Sequence, residues 1–184
     1  MRLYLVRHAR AEGLESLCYG RGEICVSPNA TAAAADAVRK QLPQSVLAAA
    51  PVYSSPLSRC RELALALAAG RPVHTAEALA ELSFGRWEGQ PWDSLPRDEI
   101  DAWAQDLWDY RPGGGESARM GAARWLAWLG RVPMSDAALV VTHAGLIRVA
   151  LASREGAARR LTDPIAYASV HPVARADYAI AEPA

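Results

Sequence analysis

The sequence predicts an α/β fold: a three-layer αβα sandwich built on a mostly parallel, doubly wound sheet, with a lid insertion over one sheet edge. Short apolar segments alternate with longer helical segments along the 184 residues. That alternation is typical of a parallel sheet covered by helices on both faces. Hydrophobic residues make up 51% of the chain, enough for a core on each face. The length fits a single domain over residues 1–184.

The first strand is predicted over residues 2–7, an apolar run that stops at a charged pair. Residues 9–29 are predicted to form a loop, because glycines and a proline interrupt them. A helix follows over residues 31–42, with Asn29 or Thr31 as its cap.

A strand–helix–strand unit is predicted over residues 51–75. Residues 51–54 form a short strand, the helix covers 56–69 and stops at Gly70, and residues 72–75 form the third strand. Such a unit places its two strands parallel to each other, because a helical crossover joins them.

The alternation is interrupted over residues 77–115, which we interpret as the lid. Residues 77–96 form a loop, and residues 97–108 form a helix with tryptophans on its apolar face. The glycines within residues 111–115 are predicted to be a flexible joint. We expect this section to cover the site rather than to form a separate domain.

After the lid the alternation of helices and strands resumes. A helix is predicted over 116–129, a strongly apolar strand over 137–142 and a helix over 145–158. The last stretch, through residues 178–180, is predicted to contribute an edge strand.

Charge and cysteine content exclude several classes of function. The formal net charge is zero, so neither nucleic acid nor an anionic membrane surface is expected as a partner. Cys18, Cys25 and Cys60 form no CxxC pair, which argues against disulfides and against a zinc knuckle. Without a predicted signal peptide or membrane-spanning run, we expect a cytoplasmic protein. A monomer and a homodimer both stay open.

Chemistry-bearing residues follow three of the predicted strands. Arg7 and His8 come directly after the first strand, and His143 ends the apolar strand near residue 142. Arg59 lies in the first turn of the helix that follows the second strand. Because ligands of open α/β sheets bind at the carboxyl ends of the strands, we expect these side chains to meet there. Two arginines that converge there with two histidines, one of the arginines at a helix N-terminus, favour phosphate as the ligand.

A histidine at such a site can attack phosphorus, since neutral imidazole is available near neutral pH. We predict His8 as the nucleophile, with a hydrogen bond on Nδ1 aiming Nε2 at the phosphate. His143 and the arginines would stabilise charge on the phosphate oxygens. Glu81, in the lid loop, is predicted to protonate the leaving oxygen, and Glu88 is a second candidate for that role.

Four segments in this order resemble the motifs of the histidine phosphatase superfamily, which contains phosphoglycerate mutases and many small phosphatases. They are Leu5-Val6-Arg7-His8, Ser54-Ser55-Pro56-Leu57-Ser58-Arg59-Cys60, Leu79-Ala80-Glu81 with Phe84-Gly85 and Trp87-Glu88-Gly89, and Val141-Thr142-His143-Ala144-Gly145. Within that superfamily the chain looks most like the α-ribazole phosphatases of cobalamin biosynthesis. The supporting segments are Cys18-Tyr19-Gly20, Phe84-Gly85-Arg86-Trp87-Glu88, Pro96-Arg97-Asp98-Glu99 and Pro112-Gly113-Gly114-Gly115-Glu116-Ser117.

The resemblance implies hydrolysis of α-ribazole 5′-phosphate, a small phosphorylated substrate, without a metal or other cofactor. It also implies that the backbone at Ala144 approaches the phosphate, and that Arg10, Tyr19 and Gly20 contact the substrate.

The chain departs from the family pattern at several positions. Ala9 and Ala144 stand where the family has glycine after each histidine, and both are small enough to keep a close approach of the backbone. Ala11 and Leu14 stand where the family has a hydroxyl and an asparagine, and Arg10 replaces an acidic residue.

These departures keep alternatives open. A non-catalytic module that binds a phosphate ligand would tolerate the missing hydroxyl and amide, although it would not need Glu81. A phosphatase of another small phosphometabolite or of a phosphoprotein, and a phosphoglycerate mutase, remain compatible with the motifs. A metal enzyme built on His8, Glu81 and His143 is disfavoured, because the flanking arginines would repel a divalent cation.

Overall fold

A computed structural model describes residues 1–14, 16–154 and 161–178 of the protein. Five strands form one sheet in the order β3-β2-β4-β1-β5. Their bounds are β1 Arg2–Arg7, β2 Val52–Ser54, β3 Val73–Thr75, β4 Ala137–Thr142 and β5 Val170–Ala174. The first four strands are parallel and β5 is antiparallel to β1, which confirms the predicted mostly parallel sheet.

Within the described residues, six α-helices cover the sheet or belong to the lid. They are α1 Pro28–Arg39, α2 Gln44–Ala49, α3 Ser58–Ala68, α4 Arg97–Gln105, α5 Ala118–Arg131 and α6 Ala144–Ala152. Helix α1 starts earlier than predicted, because Ser27 caps it by accepting a hydrogen bond from the Ala30 N–H at 3.2 Å. Asn29 and Thr31, the caps predicted from the sequence, lie inside the helix. Helix α2 follows Pro43 and was not predicted.

Two apolar cores separate the three layers. In β1, Leu3 and Leu5 face the core under α5 and α6, whereas Tyr4 and Val6 face the core under α1 and α3. This alternation is the side-chain period of a strand buried on both faces. The sheet therefore holds the carboxyl ends of its strands between two rigid layers.

Residues 77–115, predicted as the lid, contain α4 and four short 3-10 helices. A small core of its own, centred on the buried Trp87 and Leu95, joins this section to Cys18 in the loop after β1. The glycines of residues 111–115, predicted to be a flexible joint, belong in part to a short 3-10 helix over Pro112–Gly114. Gly113 is buried against the backbone of the preceding lid segment, so that a Cβ there would lie 2.2 Å from the Phe84 carbonyl oxygen.

The edge strand lies earlier than predicted. Strand β5 covers Val170–Ala174, and Tyr178 follows a 3-10 turn beyond it. Residues 179–180 of the predicted strand, and residues 155–158 of the predicted last helix, lie outside the described residues. Among the helices that are described, none is long and apolar enough to cross a membrane.

Candidate active site

The sheet register brings the two histidine motifs together. Arg7 is the register partner of Thr142, at the carboxyl ends of β1 and β4. The next residue of each strand is a histidine, and the His8 N–H donates to the Thr142 carbonyl at 3.0 Å. The imidazole centroids of His8 and His143 lie 5.1 Å apart, with the rings edge to face. The predicted meeting of these two residues is therefore observed.

The His8 ring is oriented by its own neighbour. Nδ1 lies 2.7 Å from the Ala9 carbonyl oxygen, which can only accept, so Nδ1 carries the proton. In the neutral ring the lone pair then resides on Nε2, as a nucleophile requires. Burial, reinforced by the positive charge of Arg59, lowers the pKa of His8 to about 3. The ring is therefore neutral at physiological pH.

His143 is fully buried and held by three side chains. Arg59 donates from Nε to His143 Nδ1 at 3.2 Å, so the ring proton is on Nε2. Nε2 then donates to Ser55 Oγ at 2.8 Å, and Cys60 Sγ lies 3.3 Å from the same nitrogen. Burial, followed by the proximity of His8, lowers the pKa of His143 well below its ordinary value.

Arg59 lies in the first turn of α3, where the sequence predicted it, and its side chain is 1% exposed. Its Nη2 and Nη1 donate to the carbonyls of Gly20 and Gly22, each at 2.7 Å. The guanidinium carbon lies 5.4 Å from the centroid of the Tyr19 ring. Arg59 thus ties the loop after β1 to the second imidazole.

Arg7 is held from the opposite side of the site. Its Nη1 donates to the Ile165 carbonyl, and its guanidinium carbon lies 3.5 Å from the centroid of the Tyr167 ring. The Tyr167 hydroxyl lies 3.1 Å from that of Tyr19, so the two tyrosines connect the surroundings of both arginines. The Arg7 Nε is buried and has no hydrogen-bond partner among the described residues. A buried donor without a partner is costly, and an anion would satisfy it.

Glu81 lies at the N-terminus of α6. Its carboxylate accepts hydrogen bonds from the backbone N–H groups of Leu82, Gly145 and Leu146, at 3.0 to 3.1 Å. The first N–H of the helix, at Ala144, has no partner in the described part of the chain. A helix N-terminus with a spare N–H favours an anion. The structure shows no hydrogen bond from Glu81 to either imidazole.

A cavity of about 160 Å³ adjoins these residues. Its lining comes from the loop after β1, the lid and the start of α6: Leu17, Tyr19, Gly20, Glu81, Phe84, Trp92, Ala144, Gly145 and Arg148. Tyr19 and Gly20, predicted to contact the substrate, and Ala144, predicted to approach the phosphate, line this one cavity. Arg10 is exposed and does not line this cavity. Glu88, the second acid candidate, accepts from the Phe84 N–H at 2.8 Å and supports the lid.

Several residues of the site escaped the sequence reasoning. Ser55 and Cys60 belong to a motif that was recognised, but only its arginine was assigned a role. The sequence prediction does not include Tyr167, because it does not give the direction of the edge strand. Since β5 is antiparallel to β1, the residues just before β5 lie at the carboxyl end of β1, and this rule would have identified Tyr167.

The described residues contain no group of three histidine, cysteine, aspartate or glutamate side chains arranged to hold a metal ion. His8, Glu81 and His143, the ligands of the metal-enzyme alternative, do not form such a group. Apart from the Glu81 carboxyl group, the polar groups that converge here are N–H donors and imidazoles, which suit an oxyanion.

Comparisons with known proteins identify the family of the chain and proteins of similar fold. The family model described as histidine phosphatase superfamily (branch 1) matches residues 3–178. No curated protein matches the chain. Among solved structures, TTHB049 from Thermus thermophilus is similar at 25% identity and a TM-score of 0.74, covering 94% of this chain and 93% of that one.

Two phosphatases are similar in fold. The α-ribazole phosphatase from Shigella flexneri has 23% identity and a TM-score of 0.77, covering 94% of this chain and 89% of that one. A mycobacterial glucosyl-3-phosphoglycerate phosphatase, solved with VO3, has 24% identity and a TM-score of 0.78, covering 94% and 92%.

Proposed function

The chain belongs to the histidine phosphatase superfamily, and from this premise we propose that it hydrolyses phosphate monoesters through a phosphohistidine on His8. The observation that carries the proposal is the Nδ1 contact of His8 with the Ala9 carbonyl, at 2.7 Å. It leaves the Nε2 lone pair available in a neutral ring, whose centroid lies 5.1 Å from that of His143. A second support is the buried Nε of Arg7, which an anion would pair.

In the first step, His8 Nε2 attacks phosphorus and the bond from phosphorus to the alcohol oxygen breaks. Glu81, which lines the cavity beside the site, enters this step protonated and gives its proton to the alcohol oxygen. Arg7 and the Ala144 N–H would stabilise the charge on the phosphate oxygens. In the second step, water attacks phosphorus, Glu81 accepts its proton, and the bond from nitrogen to phosphorus breaks.

Arg59 and His143 take part in the proposed site as one unit. Arg59 keeps two N–H groups beyond those that its three observed acceptors occupy, because a guanidinium carries five. The His143 Nε2–H donates a hydrogen bond to Ser55 in this structure, and it can donate to a phosphate oxygen instead when substrate is bound. These donors supply positive potential without a metal ion, so we propose a metal-independent reaction.

For the substrate we propose α-ribazole 5′-phosphate, acted on by a cytoplasmic monomer or homodimer. The sequence segments around Tyr19 and the lid support this choice. The likeness in fold to the Shigella flexneri α-ribazole phosphatase is compatible with it.

The test compares wild type with His8→Ala on 4-nitrophenyl phosphate in the presence of a chelator. We expect turnover and an acid-labile phosphoenzyme only in the wild type. His74→Ala, which changes an exposed histidine at the sheet edge, is the matched control and should keep full activity. Equal rates for wild type and His8→Ala would refute the mechanism. Comparing α-ribazole 5′-phosphate with 3-phosphoglycerate then tests the substrate.

A further inference from the structure

The cavity beside the proposed phosphate site adjoins a second, smaller cavity beneath the lid. The second cavity has a volume of about 70 Å³, and Phe84, Gly145 and Arg148 line both. Its remaining wall is mostly apolar and includes Leu82, Trp103, Leu107, Val149 and Leu161. The group that a phosphate ester carries on its alcohol would therefore meet an apolar surface next to Glu81.

Aromatic rings of the lid form that surface. Trp92 lies parallel to Trp103, with a centroid distance of 6.3 Å and an angle of 10° between the rings. Phe84 meets both indoles edge to face, at 5.7 and 5.8 Å. The backbone N–H of Trp92 donates to the Ser16 carbonyl at 2.8 Å, which fixes this part of the lid on the loop after β1.

Trp92 remains partly open to solvent within this cluster. It is 36% exposed and lines the outer cavity, whereas Trp87 in the same lid is 1% exposed. Covering a large apolar ring at a cavity wall with a flat apolar group removes both surfaces from water, which is favourable. Its position thus points to a ligand rather than to a role in the lid core alone.

The charges of the cavity argue against a second anionic group on the substrate. Glu81 and Arg148 are the acidic and the basic side chain of the described lining, so the cavity offers a single cation. Arg148 also donates from Nε to the Asp163 carbonyl at 2.8 Å. Once Glu81 has given its proton to the leaving alcohol, its carboxylate would repel a carboxylate on that alcohol.

We propose that Trp92 and Phe84 bind a flat, uncharged apolar group on the alcohol of the phosphate ester, and that Trp92 determines specificity for it. The inference rests on the proposed function only in placing the phosphoryl group next to His8. In this proposal the ring system of the substrate packs on the aromatic face of the lid. Phosphate esters of alcohols that offer only a carboxylate for recognition are excluded as substrates.

Binding of non-hydrolysable phosphonates tests this assignment by calorimetry. The probes are 2-naphthylmethylphosphonate, methylphosphonate and 2-carboxyethylphosphonate. We expect the naphthyl compound to bind wild type at least about tenfold more tightly than either other probe, from contact with the aromatic rings. In Trp92→Ala that preference should fall about tenfold.

Trp92→Leu keeps an apolar side chain without the flat face, and its preference should lie between those of wild type and Trp92→Ala. Met134→Ala, at an exposed apolar residue outside the cavity, should keep the wild-type preference. Equal affinities for the naphthyl and methyl compounds, or an unchanged preference in both Trp92 variants, would overturn the proposal. So would tighter binding of the carboxyethyl compound. Phosphonates bind without reacting, so this result is separate from the His8→Ala turnover test.

Discussion

Arg59 donates from Nε to Nδ1 of His143 at 3.2 Å, and this contact fixes which nitrogen of the buried imidazole carries its proton. The same guanidinium holds the carbonyls of Gly20 and Gly22. One side chain therefore sets the tautomer of His143 and the position of the loop that bears Tyr19. A different cation at this position would not make the same contacts, because the three acceptors lie around the planar guanidinium group.

Arg59→Lys is expected to keep the positive charge and to lose most of the activity. A lysine ammonium cannot reach His143 and both carbonyls in the plane of the guanidinium, so kcat/KM should fall about a hundredfold or more. Steady-state kinetics on 4-nitrophenyl phosphate measure the change. Arg61→Lys, at an exposed position two residues further along α3, is the control. Similar kinetics for the two variants would contradict this role.

Tyr167 is expected to position Arg7 through its ring rather than through its hydroxyl. The ring centroid lies 3.5 Å from the guanidinium carbon, whereas the hydroxyl contacts Tyr19. Tyr167→Leu should weaken binding of inorganic phosphate about fivefold to thirtyfold, the range of a partly desolvated cation–π contact. Tyr167→Phe should stay near wild type. If the phenylalanine variant lost as much affinity as the leucine variant, the hydroxyl contact would be the important one.

The two buried imidazoles predict a pH-dependent stability. The pKa of His8 is lowered to about 3 and that of His143 is lowered well below its ordinary value, both chiefly by burial. Below about pH 6.5 the unfolded chain binds protons that the folded chain does not, so the free energy of unfolding falls as the pH is lowered. Each imidazole contributes a slope of at most about 1.4 kcal/mol per pH unit in that range.

Urea unfolding of wild type and His8→Asn between about pH 7 and about pH 5 measures this slope. The variant should show the shallower dependence, because it has lost one of the two groups. Parallel curves for wild type and His8→Asn would show that His8 binds its proton equally in both states.

Glu81 combines a structural contact with its proposed chemical role, and two substitutions separate them. Its oxygens accept from the N–H groups of Gly145 and Leu146, in the first turn of α6. Glu81→Ala removes this cap and should cost about 1 to 2 kcal/mol of stability, besides lowering kcat. Glu81→Gln retains an acceptor oxygen, so its stability loss should be smaller while kcat stays low. Recovery of kcat in the glutamine variant would exclude Glu81 as the proton donor.

Much of the site was predictable because parallel strands end at one edge of a sheet. Arg7, His8 and His143 each lie at the end of a strand that is mostly apolar, so the sequence marks both the strand and its end. Arg59 was found because a short strand and a helix start bracket it. The predicted sheet and both of its helical layers follow from the same alternation.

The rest depends on contacts between residues that are distant in sequence. Nothing near Tyr167 shows that its ring covers Arg7, because that contact arises only when β5 pairs with β1. Glu81 likewise accepts a hydrogen bond from Gly145, a residue of α6 that lies 64 positions further along the chain. The packing around the lid glycines is not predictable for a related reason, because local sequence reports the conformational freedom of a glycine but not what packs against it.

Gly113 and Gly114 make that last point testable. Both adopt positive φ, 57° and 76°, but a Cβ on Gly113 would meet the Phe84 carbonyl oxygen at 2.2 Å. A Cβ on Gly114 would have the Arg86 Nη1 as its nearest neighbour, at 3.9 Å. Gly114→Ala should therefore cost about 1 to 2 kcal/mol from backbone strain alone. Gly113→Ala should cost more, because the lid backbone must also move apart.

Urea unfolding and the KM of the two alanine variants distinguish these costs. Gly113→Ala is expected to lose more stability than Gly114→Ala and to raise KM, because Phe84 lies at the wall of both cavities. Gly89→Ala, with φ of 82° and no atom within 4 Å of the added Cβ, provides the reference for strain without contact. If all three variants lost equal stability, residues 111–115 would behave as the flexible joint of the sequence prediction. Close packing at Gly113 instead makes the lid a fixed wall of the cavity.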